Sequence, residues 1–224
     1  MIDVELPGGA RARFTGRTEG DLGHAGVYVH EVTPEVAARR RAVLDLPWTW
    51  LRQVHGDVVV LVGGPGEGAG SVADAAVATE PGCALAVLTA DCAPVALASP
   101  EGVIGAAHAG WSGLAAGVLE RTVEAMRGLG ASRVHAALGP CIGPECNEFG
   151  EEDLERVATT VGRAVRSRTA TGRLALDLAA GARTVLERQG ATVDDLSVCT
   201  ACGPGYYSWR ARGEYQRQAL IVWR

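Results

Sequence analysis

Between Ala75 and Ala109 the apolar residues run in short blocks with no helical period. Ala84–Leu88, Pro94–Ala98 and Val103–Ala107 are each bounded by turn residues, as strands buried on both faces are. These blocks predict three strands in the middle of a sheet. Upstream, Asp3–Leu6 and Arg11–Thr15 flank Pro7-Gly8-Gly9 and predict an opening hairpin. Glu35–Leu44 predicts a short helix that stops before Pro47, Val58–Val62 a β-branched strand, and Gly63–Gly70 a surface loop. Downstream, Leu114, Val118, Thr122 and Met126 recur every fourth position, with Ala115, Leu119 and Val123 beside them. That period predicts one amphipathic helix, capped by Ser112 and ending at Gly128 or Gly130. A strand at Val134–Leu138, helices over Glu151–Arg168 and Asp177–Arg188, a strand near Leu196–Cys199 and a last strand at Gln218–Trp223 follow. Helices and strands do not alternate strictly, and no repeat or linker interrupts the 224 residues. The expectation is a single α+β domain over residues 1–224, with a mixed sheet rather than a doubly wound one.

Charge and composition narrow the chemistry. The formal net charge is −5, and no basic run exceeds Arg39-Arg40-Arg41, which argues against nucleic acid and for small-molecule partners. All 21 basic residues are arginine, so lysine Schiff bases and a P-loop lysine are excluded. The longest apolar stretch, Cys83–Ala98, is broken by Asp91, and the amino end lacks a charged region followed by an apolar run. Neither an export signal nor a membrane span is expected. Six cysteines without such a signal read as reduced thiols, and the cytoplasm is the expected compartment.

Three polar residues sit where apolar strands end: His55 before Val58–Val62, Cys92 between two strands and His108 after Val103–Ala107. Two imidazoles and a thiolate among small neighbours make a three-ligand zinc site with a fourth position free. The same residues taken singly also read as a structural cysteine and hydrogen-bonded histidines. Asp91 and Asp74 are carboxylates in apolar surroundings, suited to orienting a ligand imidazole or moving a proton, or to capping turns. Gly110-Trp111-Ser112-Gly113 opens a helix beside His108 and offers unpaired N–H groups to an anion. Cys199-Thr-Ala-Cys202 is redox-active or half of a zinc clip, with no second pair to complete it. Cys141, in Gly139-Pro-Cys-Ile-Gly143, is a nucleophile, a small buried residue, or the fourth ligand of a purely structural metal.

These segments together resemble the YfiH-like family, whose members are variously called laccase-domain proteins, polyphenol oxidases and purine nucleoside phosphorylases. The likeness covers about residues 11–223. It is carried by Arg52-Gln-Val-His55-Gly, Ala73-Asp74 with Ala78-Thr79, Thr89-Ala-Asp-Cys92-Ala-Pro, His108-Ala-Gly-Trp111, Gly139-Pro-Cys141-Ile-Gly, Asp177-Leu, Cys199-Thr200 and Ser208-Trp-Arg210. The resemblance implies a β-sandwich-like mixed core covered by helices, with one zinc on His55, Cys92 and His108. It implies phosphorolysis of adenosine, inosine, guanosine and methylthioadenosine to base and pentose 1-phosphate, with adenosine deamination besides. Asp91 and Cys141 are then the candidate catalytic groups, and Arg17 and Arg210 the candidate substrate or phosphate contacts. The chain departs from the family pattern at Ser112 and Ala211, where arginines are usual, and at Gln216, where glycine is. It also matches poorly between Gly20 and Arg40. Loss of an arginine fork at the helix start weakens phosphate binding or shifts substrate preference. Two alternatives stay open: copper-dependent oxidation of phenols, since two His and one Cys also suit mononuclear copper, and a Cys92/His108 hydrolase acting on cell-wall peptide. With five histidines, at 24, 30, 55, 108 and 135, the chain cannot build a trinuclear copper cluster as well as a mononuclear site.

Overall fold

A computed structural model describes residues 1–23 and 32–224. His24 and His30 lie outside the described residues. Fourteen strands are formed there: β1 (Ile2–Glu5), β2 (Arg11–Phe14), β3 (Trp48–Arg52), β4 (Val59–Val62), β5 (Ser71–Val72), β6 (Ala75–Ala78), β7 (Ala84–Thr89), β8 (Ala93–Ala98), β9 (Ile104–Ala109), β10 (His135–Leu138), β11 (Arg166–Arg168), β12 (Leu174–Leu176), β13 (Thr192–Asp195) and β14 (Gln218–Trp223). The helices are α1 (Pro34–Val43), α2 (Trp111–Ala116), α3 (Val118–Gly128), α4 (Glu151–Val161), α5 (Leu178–Arg188) and α6 (Trp209–Arg212).

Two mixed six-stranded sheets, ordered β1-β2-β14-β7-β3-β5 and β13-β10-β8-β9-β6-β4, form the body of the fold. The three apolar blocks expected to share one sheet are divided: β7 lies in the first sheet, β8 and β9 in the second. The two-residue period explains how. Leu85 and Val87 of β7, with Leu220 and Val222 of β14, meet Ala76, Ala96, Ala98, Ala106 and Ala137 of the second sheet in one core. The alternate residues Ala84, Ala86, Leu88, Ala219 and Ile221 face outward to Leu22, Val43 and Trp48. On the second sheet, Val77, Val95, Leu97 and Leu138 face outward into the core under α3, α4 and α5, meeting Leu119, Val123, Met126, Leu154, Val157 and Leu186. The inter-sheet layer is alanine-rich on one side, which lets the backbones approach closely. At Gly139 a Cβ would stand 2.2 Å from the Phe14 ring.

The expected helix over Ser112–Gly128 is two helices. Gly117 adopts φ 95°, a left-handed conformation, and both ends α2 and opens α3. Gly110, not Ser112, occupies the N-cap of α2. Likewise the expected helix to Arg168 stops at Val161, because Gly162 (φ 115°) turns the chain toward β11. The strand expected near Leu196–Cys199 is β13, four residues earlier, paired in parallel with β10.

Three connections cross from the first sheet to the second: residues 53–58 between β3 and β4, 73–74 between β5 and β6, and 90–92 between β7 and β8. They carry His55, Asp74, Asp91 and Cys92, while His108 lies near the end of β9, paired with Pro94.

Candidate active site

The side chains of His55, Cys92 and His108, separated by up to 53 residues of sequence, converge so that one ligand atom of each lies within 4.8 Å of the others. Cys92 Sγ is 3.7 Å from His55 Nε2, and the two imidazole rings meet edge to face at 4.9 Å between centroids. Among the described residues no fourth His, Cys, Asp or Glu joins this group. Two imidazoles and one thiolate with a fourth direction left over is the donor set of an open zinc site. The backbone is shaped to permit it. Had Gly110 a Cβ, that atom would lie 2.6 Å from the His55 ring and 3.1 Å from Cys92 Sγ.

Asp74 holds two of the three donors in place. It is fully buried, and its Oδ1 takes a 2.8 Å hydrogen bond from His108 Nδ1 while its two oxygens accept the backbone N–H groups of Val54, His55 and Gly56. One carboxylate thus fixes the His55 turn, where His55 itself has φ 59°, and leaves His108 Nε2 facing the cluster. Burial alone would raise the Asp74 carboxyl. The hydrogen bond and charge of His108, with the N–H groups of Gly56 and Val54, hold it below its ordinary value. Burial likewise opposes charge on Cys92 and His108, but each stabilises the other's ion. Cys92 is lowered to about 6, helped also by His55, and His108 is raised to about 9, helped also by Asp74. Without metal, each group's charge thus favours the ionised form of the other.

The trio opens into a cavity of about 490 Å³. Its lining includes the aromatic residues Trp111, Phe149, Trp209 and Tyr215 and the arginines Arg52, Arg210 and Arg217. Trp111 packs edge-on to Phe149, and Trp209 to Tyr215. Burial lowers the Arg217 guanidinium, against the negative charge of Cys92, Asp21 and Asp91, which raises it. Arg52 is exposed at the pocket and, among the described residues, its side chain makes no hydrogen bond or ion pair.

The other sequence candidates are distributed as follows. Asp91 lines the cavity, in an unusual backbone conformation (φ 98°), but both of its oxygens are engaged: Oδ1 accepts from Thr200 Oγ1 at 2.6 Å and Oδ2 from the Arg210 backbone N–H at 2.7 Å. It braces the pocket wall, and the imidazole partner is Asp74. Arg210 lines the cavity, with Nη1 donating to the Glu148 carbonyl. Arg17 lies outside it. Its guanidinium is spent on the carbonyls of Pro204 and Tyr206, on Glu214 and on the Tyr207 ring, so it braces the 204–214 segment. Cys141 is buried outside the cavity, its thiol pushed up by burial, and it is not in the trio's ligand group. His135 pairs with Asp194, also away from the cavity. The helix opened by Gly110 has six residues, so the cationic character of the pocket rests on the arginines. Sequence reasoning missed Arg217 and, as a site residue, Arg52. The signal for Arg52 was its place in the Arg52-Gln-Val-His55 motif, whereas nothing local set Arg217 apart from the other arginines.

The family model described as "Multi-copper polyphenol oxidoreductase laccase" matches residues 15–224. The chain belongs to that family. Within it, a purine nucleoside phosphorylase of Streptomyces coelicolor is 43% identical over 196 residues, which are 84% of this chain and 80% of that protein. One from Deinococcus radiodurans is 48% identical over 166 residues, 71% and 63% of the two chains. The fold matches a solved Neisseria meningitidis protein with TM-score 0.80 and 31% identity, covering 98% of this chain and 96% of that one. It matches YlmD of Geobacillus stearothermophilus with TM-score 0.79 and 27% identity, covering 96% and 91%. The resemblance to the YfiH-like family and its mixed-sheet, helix-covered fold is thereby borne out. Among the described residues no helix is long and apolar enough to cross a membrane.

Proposed function

We propose that this chain is a zinc-dependent purine nucleoside phosphorylase, acting on adenosine, inosine, guanosine and S-methyl-5′-thioadenosine, with adenosine deamination as a second activity. The observation that carries the reading is the convergence of His55, Cys92 and His108 at a cavity that joins aromatic walls to three arginines. The names of the relatives support it. A purine is flat and apolar on its faces, and Trp111, Phe149, Trp209 and Tyr215 offer it stacking surface. Phosphate needs planar cationic donors, and among the described residues the Arg52 guanidinium has no hydrogen-bond or ion-pair partner. Arg217, close enough to feel the charges of Cys92 and Asp91, adds a second cation to the cavity lining.

In phosphorolysis a phosphate oxygen bonds to the anomeric carbon as its bond to the purine nitrogen breaks, and the base leaves with the bonding pair and takes up a proton. The arginines hold the attacking oxyanion and screen its charge from Cys92 and Asp91. The aromatic wall fixes the ring plane and excludes water, and Asp91, through Thr200 and Arg210, keeps that wall in register. When bound, zinc on two neutral imidazoles and one thiolate supplies a Lewis-acidic centre of net charge about +1 with a position open to an oxygen ligand. We place the protein in the cytoplasm, where its six free cysteines stay reduced.

The family description favours copper-dependent phenol oxidation as a second reading. The two readings, and a metal-free Cys92/His108 hydrolase, separate on metal content and phosphate dependence. Zinc-loaded protein incubated with inosine is expected to release hypoxanthine only when phosphate is present, and Cys92→Ala is expected to lose that turnover while unfolding cooperatively. Hypoxanthine release without phosphate dependence, or none from zinc-replete protein, overturns the phosphorylase reading. An intense blue copper form that oxidises phenols would replace it.

A further inference from the structure

Away from the cavity, the Cys-x-x-Cys pair finds the partners that its sequence did not reveal. Glu145 and Cys146, on the turn after Gly143-Pro144, stand against Cys199 and Cys202, and one donor atom from each of the four lies within 4.8 Å of the others. Cys146 Sγ is 3.4 Å from Cys202 Sγ, and Cys202 Sγ is 3.3 Å from Glu145 Oε1. Around a tetrahedral ion with bonds of roughly 2.3 Å to sulfur and 2.0 Å to oxygen, neighbouring donors are about 3.5–3.8 Å apart, so these two distances are within a few tenths of an ångström of a ligand set and the remaining pairs, all within 4.8 Å, need only side-chain adjustment.

The surroundings are built for these donors. Cys199 is anchored by a parallel bridge to Cys141, and its sulfur accepts the Gly143 N–H at 3.2 Å, the kind of hydrogen bond that orients a thiolate ligand. The Glu145 carboxylate folds back over Gly143, where a Cβ would come within 2.3 Å of it although the backbone there (φ −79°) would accept any residue. Among the described residues no ion pair neutralises Glu145. Arg212 props the Cys-x-x-Cys turn through the carbonyls of Thr200 and Ala201.

We propose that Cys146, Cys199, Cys202 and Glu145 form a second metal site, a closed Cys3Glu centre that takes zinc and clips the 143–147 turn to the 199–202 turn. Soft thiolates favour zinc over calcium or magnesium, and four protein donors leave no open position, so this site is structural. Binding replaces three S–H bonds by three S–Zn bonds, and the three protons leave to solvent. The clip bears on the cavity: Thr200 of one turn donates to Asp91, and Asn147 of the other lines the cavity wall.

The test is metal content of the full chain, stripped of metal, reloaded with zinc alone and desalted. Two zinc ions per chain are expected in the unchanged protein, and one each in Cys199→Ser/Cys202→Ser and in His55→Ala/His108→Ala. Loaded with cobalt, the His55→Ala/His108→Ala protein is expected to keep a near-ultraviolet thiolate-to-cobalt band of three-sulfur intensity. That variant leaves the Cys3Glu centre intact, so the test stands even if the double-serine chain fails to fold. Glu145→Gln is expected to weaken the second zinc about tenfold without unfolding the chain. One zinc in the unchanged protein and none after His55→Ala/His108→Ala would overturn the proposal, as would a Cys146–Cys202 disulfide, seen as a 2 Da mass loss, that survives excess reductant and keeps metal out. None of these readouts depends on nucleoside turnover.

Discussion

At the scale of single residues the site is governed by Asp74, a carboxylate that touches no cavity surface. It accepts from His108 Nδ1 and from three successive backbone N–H groups. Asp74→Asn converts one acceptor oxygen to a donor and leaves at least one of those buried donors unpaired, at a cost of about 1–3 kcal/mol. It also loosens the imidazole, for which orienting partners typically contribute about 10–100-fold in metal affinity. The expected outcome is a lower urea midpoint together with zinc affinity reduced in that range, measured against a competing chelator. A fall in the midpoint with unchanged zinc affinity would reduce Asp74 to scaffolding.

The ionic pair of the metal-free site has its own signature. Cys92 is lowered from 9.0 to about 6, so its stabilising contribution is complete above pH 9 and is lost as pH falls toward 6. His108 is raised from 6.5 to about 9, so its contribution is complete below pH 6.5 and is lost as pH rises toward 9. The opposing slopes offset each other, and stability of the metal-free protein is expected to stay nearly level from pH 6.5 to 9. Alkylation of Cys92, followed on its own peptide by mass spectrometry, is expected to reach half its limiting rate near pH 6, and His108→Ala should move that midpoint upward. A midpoint near 9 in the unchanged protein would mean that the pair does not form. Sequence alone picked out His55, Cys92 and His108 because each sits where an apolar strand block begins or ends. It passed over Arg217, since in a chain with 21 basic residues, all arginine, one more carries no local mark.

At the scale of elements, what could be read followed how strongly each segment states its period. β14 was readable to the residue, and α5 to within its Asp177 N-cap, because QALIVW is a short β-branched apolar run opened by a polar residue and Asp177 precedes a regular apolar stripe. β6 was not, since Ala-Ala-Val-Ala is weak in strand preference and is ordered by neighbours on both sides. β13 reads Thr-Val-Asp-Asp, a sheet-edge strand whose polar residues hid it in favour of the more apolar Leu196–Cys199. The α2–α3 break at Gly117 was concealed because the four-residue apolar recurrence runs through it. The start of α2 carries a sharper consequence. Gly110 has φ −74°, which alanine adopts without strain, so Gly110→Ala acts through the contact of its Cβ with His55 and Cys92 alone. Far-UV circular dichroism is expected to be unchanged while zinc affinity falls at least about tenfold, in the range by which overpacking a filled site costs about 1–3 kcal/mol. Full retention of zinc would show that the trio tolerates a displaced His55.

At the scale of the molecule, the three apolar blocks expected in one sheet are divided between two sheets face to face, in keeping with the sandwich-like core that the family resemblance implied, and this determines where a site can exist. The block period correctly marked buried strands. It could not say that β7 and β8 part company at Ala90-Asp91-Cys92, because a turn within a sheet and a crossover between sheets look alike in sequence. His55 and Cys92 both lie on such crossovers and His108 lies in the second sheet, so an ion bound by all three ties the two layers at one end. Metal that binds the folded chain and not the unfolded one stabilises by RT ln(1 + [L]/Kd), about 2.7 kcal/mol at a hundredfold excess over Kd. For a chain of this length each kcal/mol is worth about 2–4 °C in Tm. Zinc at that excess is therefore expected to raise Tm by about 5–11 °C through the trio alone. The clip at Cys199 and Cys202 would add to this, so the measurement belongs in the Cys199→Ser/Cys202→Ser background, with Cys92→Ala added as the control that abolishes the gain. A Tm that is unmoved by zinc in the first of these proteins would mean that His55, Cys92 and His108 come together for the sake of packing and hold no ion.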